Sequence, residues 1–193
     1  MKRKRNGNLI VVTGPSGVGK GTVVTKLLAI VPGLTKSVSV TTRSMRQGEV
    51  EGVDYFFCSD QEFLEMHSSN KFLEWAEYAG NYYGTPKEWV KEQLQKGEDV
   101  ILEIEVQGAL QVLKQAPNAV LIFLSPPSIP ELRSRLKGRA TESAASVELR
   151  LAKARIEIRD KGLFHYEVVN DNIEEAVNNL MHIVYAERCR IKD

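Results

Sequence analysis

The chain has 193 residues, of which 42% are hydrophobic and 26% are charged, and its 26 basic and 25 acidic side chains leave a formal net charge of +1. This composition is typical of a single folded domain and excludes a disordered polyelectrolyte. The charge balance argues against a nucleic-acid binder, and no apolar run approaches the roughly 18 residues of a membrane span. Cys58 and Cys189 lie far apart and have no metal-ligand spacing, which indicates reduced thiols in a cytoplasmic protein.

Short apolar runs alternate with segments of helical periodicity along the chain. Predicted strands cover residues 9–12, 100–104, 120–124 and 167–169, and predicted helices cover 21–30, 87–95, 106–114, 129–137, 147–161 and 173–190. Thr85 before Pro86, and Ser128 three residues before Glu131, are interpreted as helix N-caps. The alternation predicts an α/β fold with a parallel sheet flanked by helices on both faces.

Two segments interrupt this alternation. Residues 37–84 are rich in Thr, Tyr, Phe and Gly, with strand patterns at 37–42, 55–57 and 72–78 around one helix near 61–67, which predicts an inserted, mainly-β lobe. Residues 138–146 are small and polar and lie between two arginine-bearing helices, which is typical of a mobile lid. The core of the single domain, spanning 1–193, then comprises 1–36, 85–137 and 147–193.

The sequence GPSGVGKGT directly follows the first predicted strand and opens the first helix. Gly14, Gly19 and Lys20 fit the G-x-x-x-x-G-K motif, in which backbone N–H groups and the lysine surround a polyphosphate. The residues of this loop that are predicted to bind the polyphosphate are Gly14, Pro15, Ser16, Gly17, Val18, Gly19, Lys20, Gly21 and Thr22. Glycine occupies position 21, where a hydroxyl usually meets Mg²⁺, so we expect the metal to be held mainly by phosphates and water.

Charged side chains at two other places indicate binding sites. Arg43 and Arg46 lie three positions apart in a polar loop, and two guanidiniums repel each other unless an anion lies between them. Taken alone, such a pair is more often a solvated face. Glu103 and Glu105 lie two apart at the end of an otherwise apolar strand, so we expect both to face the same way and to serve a site.

Together these motifs make the sequence resemble bacterial guanylate kinases over nearly its whole length. The blocks that carry the resemblance are GPSGVGKGT, VSVTTRSMRQGEVEGVDYFF, FLEWAEYAGNYYGTP, ILEIEVQGA, IFLSPPS, LKGRATES and VVND, in that order. The resemblance implies a P-loop kinase core and Mg²⁺-dependent transfer of the ATP γ-phosphate to GMP, with dGMP as a further acceptor. For the oligomeric state we expect a monomer or homodimer.

The resemblance further implies roles for individual residues. The GMP phosphate would be held by Arg43, Arg46, Tyr55 and Tyr83, and guanine would be read by Ser39, Glu74 and Thr85. Glu103 and Glu105 would lie where the two substrates meet, one toward the water shell of the metal and Glu105 toward the guanine amino group. Charge on the transferring phosphoryl group would be neutralised by Lys20, Arg46, Arg135, Arg139 and Arg150. Asn170 and Asp171 would lie beside the adenine of ATP.

Two alternatives stay open at this point. One is a catalytically inactive guanylate-kinase-like scaffold that binds phosphopeptides, although such modules have lost the phosphate loop that is intact here. The other is a kinase of a different phosphomonoester, such as a ribose bisphosphate. The combination of Ser39, Glu74 and Thr85 favours guanine, because one carboxylate can accept from both N1–H and the 2-amino group of that base.

Overall fold

The computed structural model describes residues 5–138 and 144–191. Its strands are β1 (Leu9–Thr13), β2 (Leu34–Lys36), β3 (Ser39–Thr41), β4 (Tyr55–Phe57), β5 (Phe72–Tyr78), β6 (Asn81–Pro86), β7 (Asp99–Glu103), β8 (Val120–Ser125) and β9 (Tyr166–Val169). Its helices are α1 (Lys20–Ile30), α2 (Asp60–Ser68), α3 (Lys87–Lys96), α4 (Val106–Gln115), α5 (Ile129–Lys137), α6 (Ala144–Arg159) and α7 (Ile173–Cys189), with a 3₁₀ turn at Asp160–Leu163. Among the described helices, none is both long and apolar enough to cross a bilayer.

A five-stranded parallel sheet forms the centre of the molecule, in the order β2-β7-β1-β8-β9. Every residue of β1 is buried, because successive side chains enter the cores on opposite faces of the sheet. Ile10 packs with Leu27 and the other apolar residues of α1 and α7, whereas Val11 packs with Val112 and its neighbours on α3 and α4. The predicted α/β fold with helices on both faces is therefore confirmed.

A second, four-stranded sheet forms from the segment for which the sequence predicts a mainly-β lobe, and its strand β6 extends two residues beyond the predicted end at residue 84. Its order is β4-β3-β6-β5, and all pairs except β3 with β4 are antiparallel. The α2 helix covers it by burying Phe63 against Phe72 and Val40. Ala79 and Gly80, both with positive φ, form the two-residue turn between β5 and β6, as the twist of a tight hairpin requires.

The α5 and α6 helices pack on each other as an arm beside the central sheet. Leu132, Leu136 and Leu151 form the apolar contact between them, and Arg133 pairs with Glu148 across it. The predicted lid lies between these helices. Its residues 139–143, and with them the candidate Arg139, lie outside the described residues.

Some local predictions were wrong for identifiable reasons. Thr85 is not an N-cap: it lies in β6 opposite Glu74, and α3 begins at Lys87 after Pro86, which makes no side-chain cap. The β6 strand was not predicted, because a glycine and a proline within six residues indicate a turn more than a strand. The three-residue β2 strand is too short to show a period.

Other boundaries differ from the prediction by little. The Ser128 cap is present, with its hydroxyl accepting from the backbone N–H of Glu131 at 3.2 Å. The β7 strand ends at Glu103, so Glu105 lies beyond it and immediately precedes α4. The two carboxylates nevertheless line the same cavity, because the chain turns into α4 at the edge of the sheet.

Candidate active site

The candidate functional residues gather where the parallel strands end. The glycine-rich loop follows β1, Glu103 ends β7, and Asn170 follows β9. In open α/β sheets, ligands bind at this carboxyl edge, because the loops that leave neighbouring strands converge there. The topology thus brings together residues that are up to about 150 positions apart in the sequence, a separation at which no local pattern shows contact.

The loop between β1 and α1 has the backbone of a phosphate cradle. Gly14 has φ 146°, and a β-carbon there would lie 2.2 Å from the carbonyl oxygen of Leu124. Gly19, with φ 96°, is the N-cap residue of α1, so only glycine gives this turn without strain. Lys20 then points its ammonium group back into the loop, where Nζ donates to the carbonyl oxygens of Gly14 at 2.6 Å and Pro15 at 3.4 Å.

The Lys20 ammonium lies in a partly buried position among carboxylates. Burial lowers its pKa from the ordinary value, while the negative charges of Glu105, Glu157 and Glu103 oppose that change. The charge of Lys20 is thus already partly balanced by carboxylates of the protein. A polyphosphate would therefore depend on the loop N–H groups and on the N-terminus of α1 as well as on the lysine.

Asn170 forms hydrogen bonds with three other segments of the chain at the edge of this loop. Its side-chain amide donates to the carbonyl oxygen of Val18 at 2.7 Å, and its backbone N–H donates to Ser125 O at 2.8 Å. Its own carbonyl oxygen accepts from Nη1 of Arg135 at 2.8 Å. The buried Asn170 thereby fixes both the phosphate loop and an arginine predicted to be catalytic, a role that its place in a turn did not predict. Asp171 beside it is exposed.

A cleft of about 350 Å³ opens between the β-lobe and the central sheet. Six of the residues predicted to bind GMP line it, namely Ser39, Tyr55, Glu74, Tyr83, Glu103 and Glu105. Gly108 and Gln107, from the first turn of α4, complete the wall on the core side. The structure therefore brings six of the nine acceptor-site candidates together, whereas Arg43, Arg46 and Thr85 do not line this cleft. Glu103 lies between the cleft and the phosphate loop, because it also approaches Gly21.

The most buried acid of this cleft is Glu74 on β5, whose exposed fraction is 7%. The hydroxyl of Thr85, fully buried on the paired strand β6, donates to Glu74 Oε1 at 2.5 Å. Burial raises the pKa of Glu74, and the Thr85 hydrogen bonds partly offset the rise. A carboxylate that lines a cavity and is largely held out of water is suited to accept hydrogen bonds from a ligand.

The predicted arginine pair already contacts a carboxylate of the protein itself, that of Glu49. Nη2 of Arg43 donates to Oε1 of Glu49 at 2.7 Å, and the backbone N–H of Arg46 donates to Oε2 of Glu49 at 2.8 Å. The Arg43 guanidinium also lies over the Tyr55 ring, 5.3 Å from its centroid, and the Glu49 hydrogen bond raises its pKa. The side chain of Arg46 is exposed. The role of Glu49 was not predicted, although a carboxylate six residues after Arg43 is near enough in the sequence to form an ion pair with it.

Glu103 and Glu105 have different partners. Glu103 pairs with Nζ of Lys36 at 2.7 Å, and Glu105 pairs with Lys153 on α6. A β-carbon at Gly21 would lie 3.2 Å from Oε1 of Glu103, so this carboxylate lies where the hydroxyl of the usual motif would project. Within residues 5–138 and 144–191, no three acidic, histidine or cysteine side chains are grouped to hold a metal. One carboxylate beside the loop nonetheless suits the hydrated Mg²⁺ that the sequence predicts.

These features define a class of protein. A parallel sheet with a glycine loop and a buried lysine after its first strand, facing a polar cleft in an inserted lobe, is the arrangement of a P-loop kinase of small phosphorylated molecules.

Comparisons with known proteins identify the family. The sequence profile described as guanylate kinase matches residues 6–187, so the chain belongs to the guanylate kinase family, as the sequence predicted. It is 52% identical over 190 residues to the guanylate kinase of Bacillus subtilis, covering 97% of this chain and 92% of that one. It is also 52% identical over 179 residues to the guanylate kinase of a Synechococcus species, covering 93% and 82%. The crystal structure of guanylate kinase from Anaplasma phagocytophilum superposes with a TM-score of 0.75 at 37% identity, covering 97% and 89%.

Proposed function

We propose that the protein transfers the γ-phosphoryl group of ATP to GMP, and to dGMP, giving ADP and the nucleoside diphosphate in a reversible, Mg²⁺-dependent reaction. The observation that carries this proposal is the buried Glu74–Thr85 pair in a cleft that faces the phosphate loop. Family membership supports the same activity. The inactive-scaffold alternative is not favoured, because the loop and Lys20 are intact.

Guanine matches the polar groups of the cleft. Its N1–H and its 2-amino group are adjacent donors, which one carboxylate can accept together, and we assign this role to Glu74, with Glu105 near the amino group. Ser39 lines the cleft and supplies a hydroxyl for the base, whereas the buried Thr85 acts on the base through Glu74, to which its hydroxyl donates. Adenine lacks the paired donors, so binding AMP would leave the buried carboxylate of Glu74 without partners.

Different residues are proposed to bind the phosphates of GMP and of ATP. For the GMP phosphate we propose Arg43, Arg46, Tyr55 and Tyr83, the tyrosine rings lying 6.0 Å apart at the mouth of the cleft. For the ATP phosphates we propose the loop from Gly14 to Thr22 with Lys20, and for adenine the neighbourhood of Asn170 and Asp171. Glu49 holds Arg43 in place and must share it with the incoming phosphate.

Catalysis would then consist mainly of positioning and charge compensation. The attacking oxygen belongs to a phosphate that is already ionised, so no general base is required. Arg135 on α5 and Arg150 on α6, both half-buried, together with Arg139, are proposed to neutralise charge on the transferring group. Bound Mg²⁺ would neutralise phosphate charge, and Glu103 would accept hydrogen bonds from its water ligands.

The organisation of the chain follows from these roles. We propose that residues 37–84 act as the GMP-binding lobe, that 138–146 act as a lid and that the remaining segments form the ATP-binding core of one domain. A cytoplasmic location and a monomeric or homodimeric state remain predictions.

A coupled assay of ADP release tests the proposed reaction. GMP and dGMP should be phosphorylated, and AMP and UMP should be poor acceptors. The Glu74→Ala variant should raise the KM for GMP by about tenfold or more, because a hydrogen bond to a charged group contributes about 1.5–3 kcal/mol. It should also reduce the preference for GMP over AMP. Glu92→Ala on the exposed face of α3 is the matched control. Unchanged acceptor preference in Glu74→Ala would contradict the assignment.

A further inference from the structure

Gly108 occupies a position in α4 where glycine is not needed for the backbone. It is buried in the first turn of the helix, and its φ is not in the left-handed region. Alanine is favoured over glycine inside helices, because glycine loses more backbone freedom on folding. The reason for glycine at this position must therefore lie in what surrounds it.

The neighbour that excludes a side chain is the guanine-reading candidate. A β-carbon at position 108 would lie 2.8 Å from Oε2 of Glu74 and 3.4 Å from Cδ1 of Ile104. The first of these distances is shorter than carbon and oxygen atoms adopt without strong repulsion. Gly108 thus leaves the space that one oxygen of the Glu74 carboxylate occupies.

The carboxylate has little freedom to move elsewhere. Its other oxygen is held by the Thr85 hydroxyl at 2.5 Å, and its backbone is paired with β6. A methyl group at position 108 would therefore displace Oε2 or stretch the Thr85 hydrogen bond. Either change redirects the carboxylate within the cleft. Only the end of the Glu74 side chain has to move, so the backbone can stay in place.

We propose that Gly108 is a positioning residue for acceptor specificity, which keeps the Glu74 carboxylate directed at guanine by presenting no side chain to it. This inference rests on the proposed function, since it assigns Glu74 to guanine. It predicts that a single methyl group on α4 changes recognition of the base and leaves the phosphate loop untouched.

Steady-state kinetics of Gly108→Ala test the inference. We expect the KM for GMP to rise by about tenfold, the effect of weakening a hydrogen bond to a charged acceptor, with kcat at saturating GMP and the KM for ATP unchanged. The preference for GMP over AMP should fall in parallel. Gly162→Ala is the matched control, because a β-carbon there meets no atom within 4 Å. Kinetics of Gly108→Ala equal to those of the control, or an equal loss in both KM values and kcat, would overturn the proposal.

A stability measurement tests the steric contact without any nucleotide. In a Glu74→Ala background the obstructing carboxylate is gone, so adding Gly108→Ala should raise Tm by about 2 °C or more, as expected for glycine to alanine in a helix. In the wild-type background the same change should leave Tm unchanged or lower it. An equal gain in both backgrounds would refute the contact. If the wild-type protein failed to phosphorylate GMP, the proposed function would fall, and the Tm comparison would still decide whether Gly108 makes room for Glu74.

Discussion

The ammonium group of Lys153 on α6 donates a hydrogen bond to the carboxylate of Glu105, the residue that precedes α4. The same ammonium lies 3.7 Å from Oε1 of Glu157, one turn further along α6. Because Glu105 lines the proposed guanine cleft, Lys153 and the guanine amino group would compete for one carboxylate. This ion pair therefore connects the α5–α6 arm to the acceptor site.

Replacing Lys153 by methionine should strengthen GMP binding. The pair is half-exposed, and exposed ion pairs contribute about 0.2–1 kcal/mol, so we expect the KM for GMP to fall by roughly 1.4- to fivefold with the KM for ATP unchanged. Lys91→Met is the control, since Lys91 pairs with Glu88 on the outside of α3. A higher KM for GMP in Lys153→Met would mean that Lys153 contacts the nucleotide instead of competing with it.

Asn170→Ala should loosen the phosphate loop. The variant removes the hydrogen bond to Val18 O and keeps the backbone contact to Arg135, so we expect the KM for ATP to rise by about tenfold. The inhibition constant of inorganic tripolyphosphate, which has no adenine, should rise equally, whereas a lost adenine contact would spare it. Asn172→Ala removes the N-cap of α7 and should cost about 1 kcal/mol of stability without affecting either constant.

Much of the core and the conformation of the glycine-rich loop could be predicted from the sequence, because their signals are local. The phosphate loop depends on spacing within nine residues, and the α5 bounds coincide with the prediction, since Ser128 and Pro130 mark the helix start. Capping and periodicity act over one or two turns, where the sequence alone determines the contacts.

The contacts that orient the site could not be predicted, because they join distant segments. Glu105 and Lys153 are 48 positions apart, and Asn170 is 152 positions from Val18. Thr85 was misassigned as a cap for a similar reason: the Thr-Pro pair fits a helix start, but pairing with β5 holds it in a strand. Tertiary pairing overrides such local preferences wherever it buries a hydrogen-bonded side chain.

Lys20→Ala should abolish most turnover without unfolding the protein. The Lys20 ammonium donates hydrogen bonds to loop carbonyls, which stabilises the fold, whereas its burial as a charged group is unfavourable. Because these two effects oppose each other, we expect Tm to change little. Loss of a charge that stabilises the transferring phosphoryl group should lower kcat by about a hundredfold or more. Lys26→Ala on the same helix, whose Nζ pairs with Glu174 at the surface, should retain wild-type kcat. Turnover near the wild-type rate in Lys20→Ala would remove the loop from the mechanism.

Among the charged residues that the structure describes, Asp99 is the one whose substitution we expect to lower the free energy of unfolding most. It is fully buried at the start of β7, and its oxygens accept from Arg5 at 2.9 Å, Asn8 N at 2.7 Å and Arg188 at 2.7 Å. Asp99→Asn leaves the guanidiniums without their counter-charge and should lower the free energy of unfolding by about 3 kcal/mol, measured by urea denaturation. Glu174→Gln, which breaks a surface pair, should lower it by less than about 1 kcal/mol.

The raised pKa of Glu74 predicts a pH-dependent difference in stability. Because the folded protein binds this proton more tightly than the unfolded chain does, the stabilisation is complete below the unfolded-state pKa and is lost as pH rises through the folded-state pKa. Glu74→Gln stays neutral and can still accept from Thr85, so its Tm should exceed that of wild type at neutral pH, and the difference should vanish in acid.

Glu62→Gln provides the comparison of opposite sign. Hydrogen bonds from Ser59 lower the pKa of Glu62, so its carboxylate stabilises the fold above the unfolded-state pKa, and this contribution is lost as pH falls through the folded-state pKa. Its glutamine variant should melt below wild type at neutral pH and converge with it in acid. Melting curves of the three proteins between neutral and acidic pH measure both effects. If Glu74→Gln melted at or below the wild-type temperature at neutral pH, Glu74 would not be a carboxylate destabilised by burial.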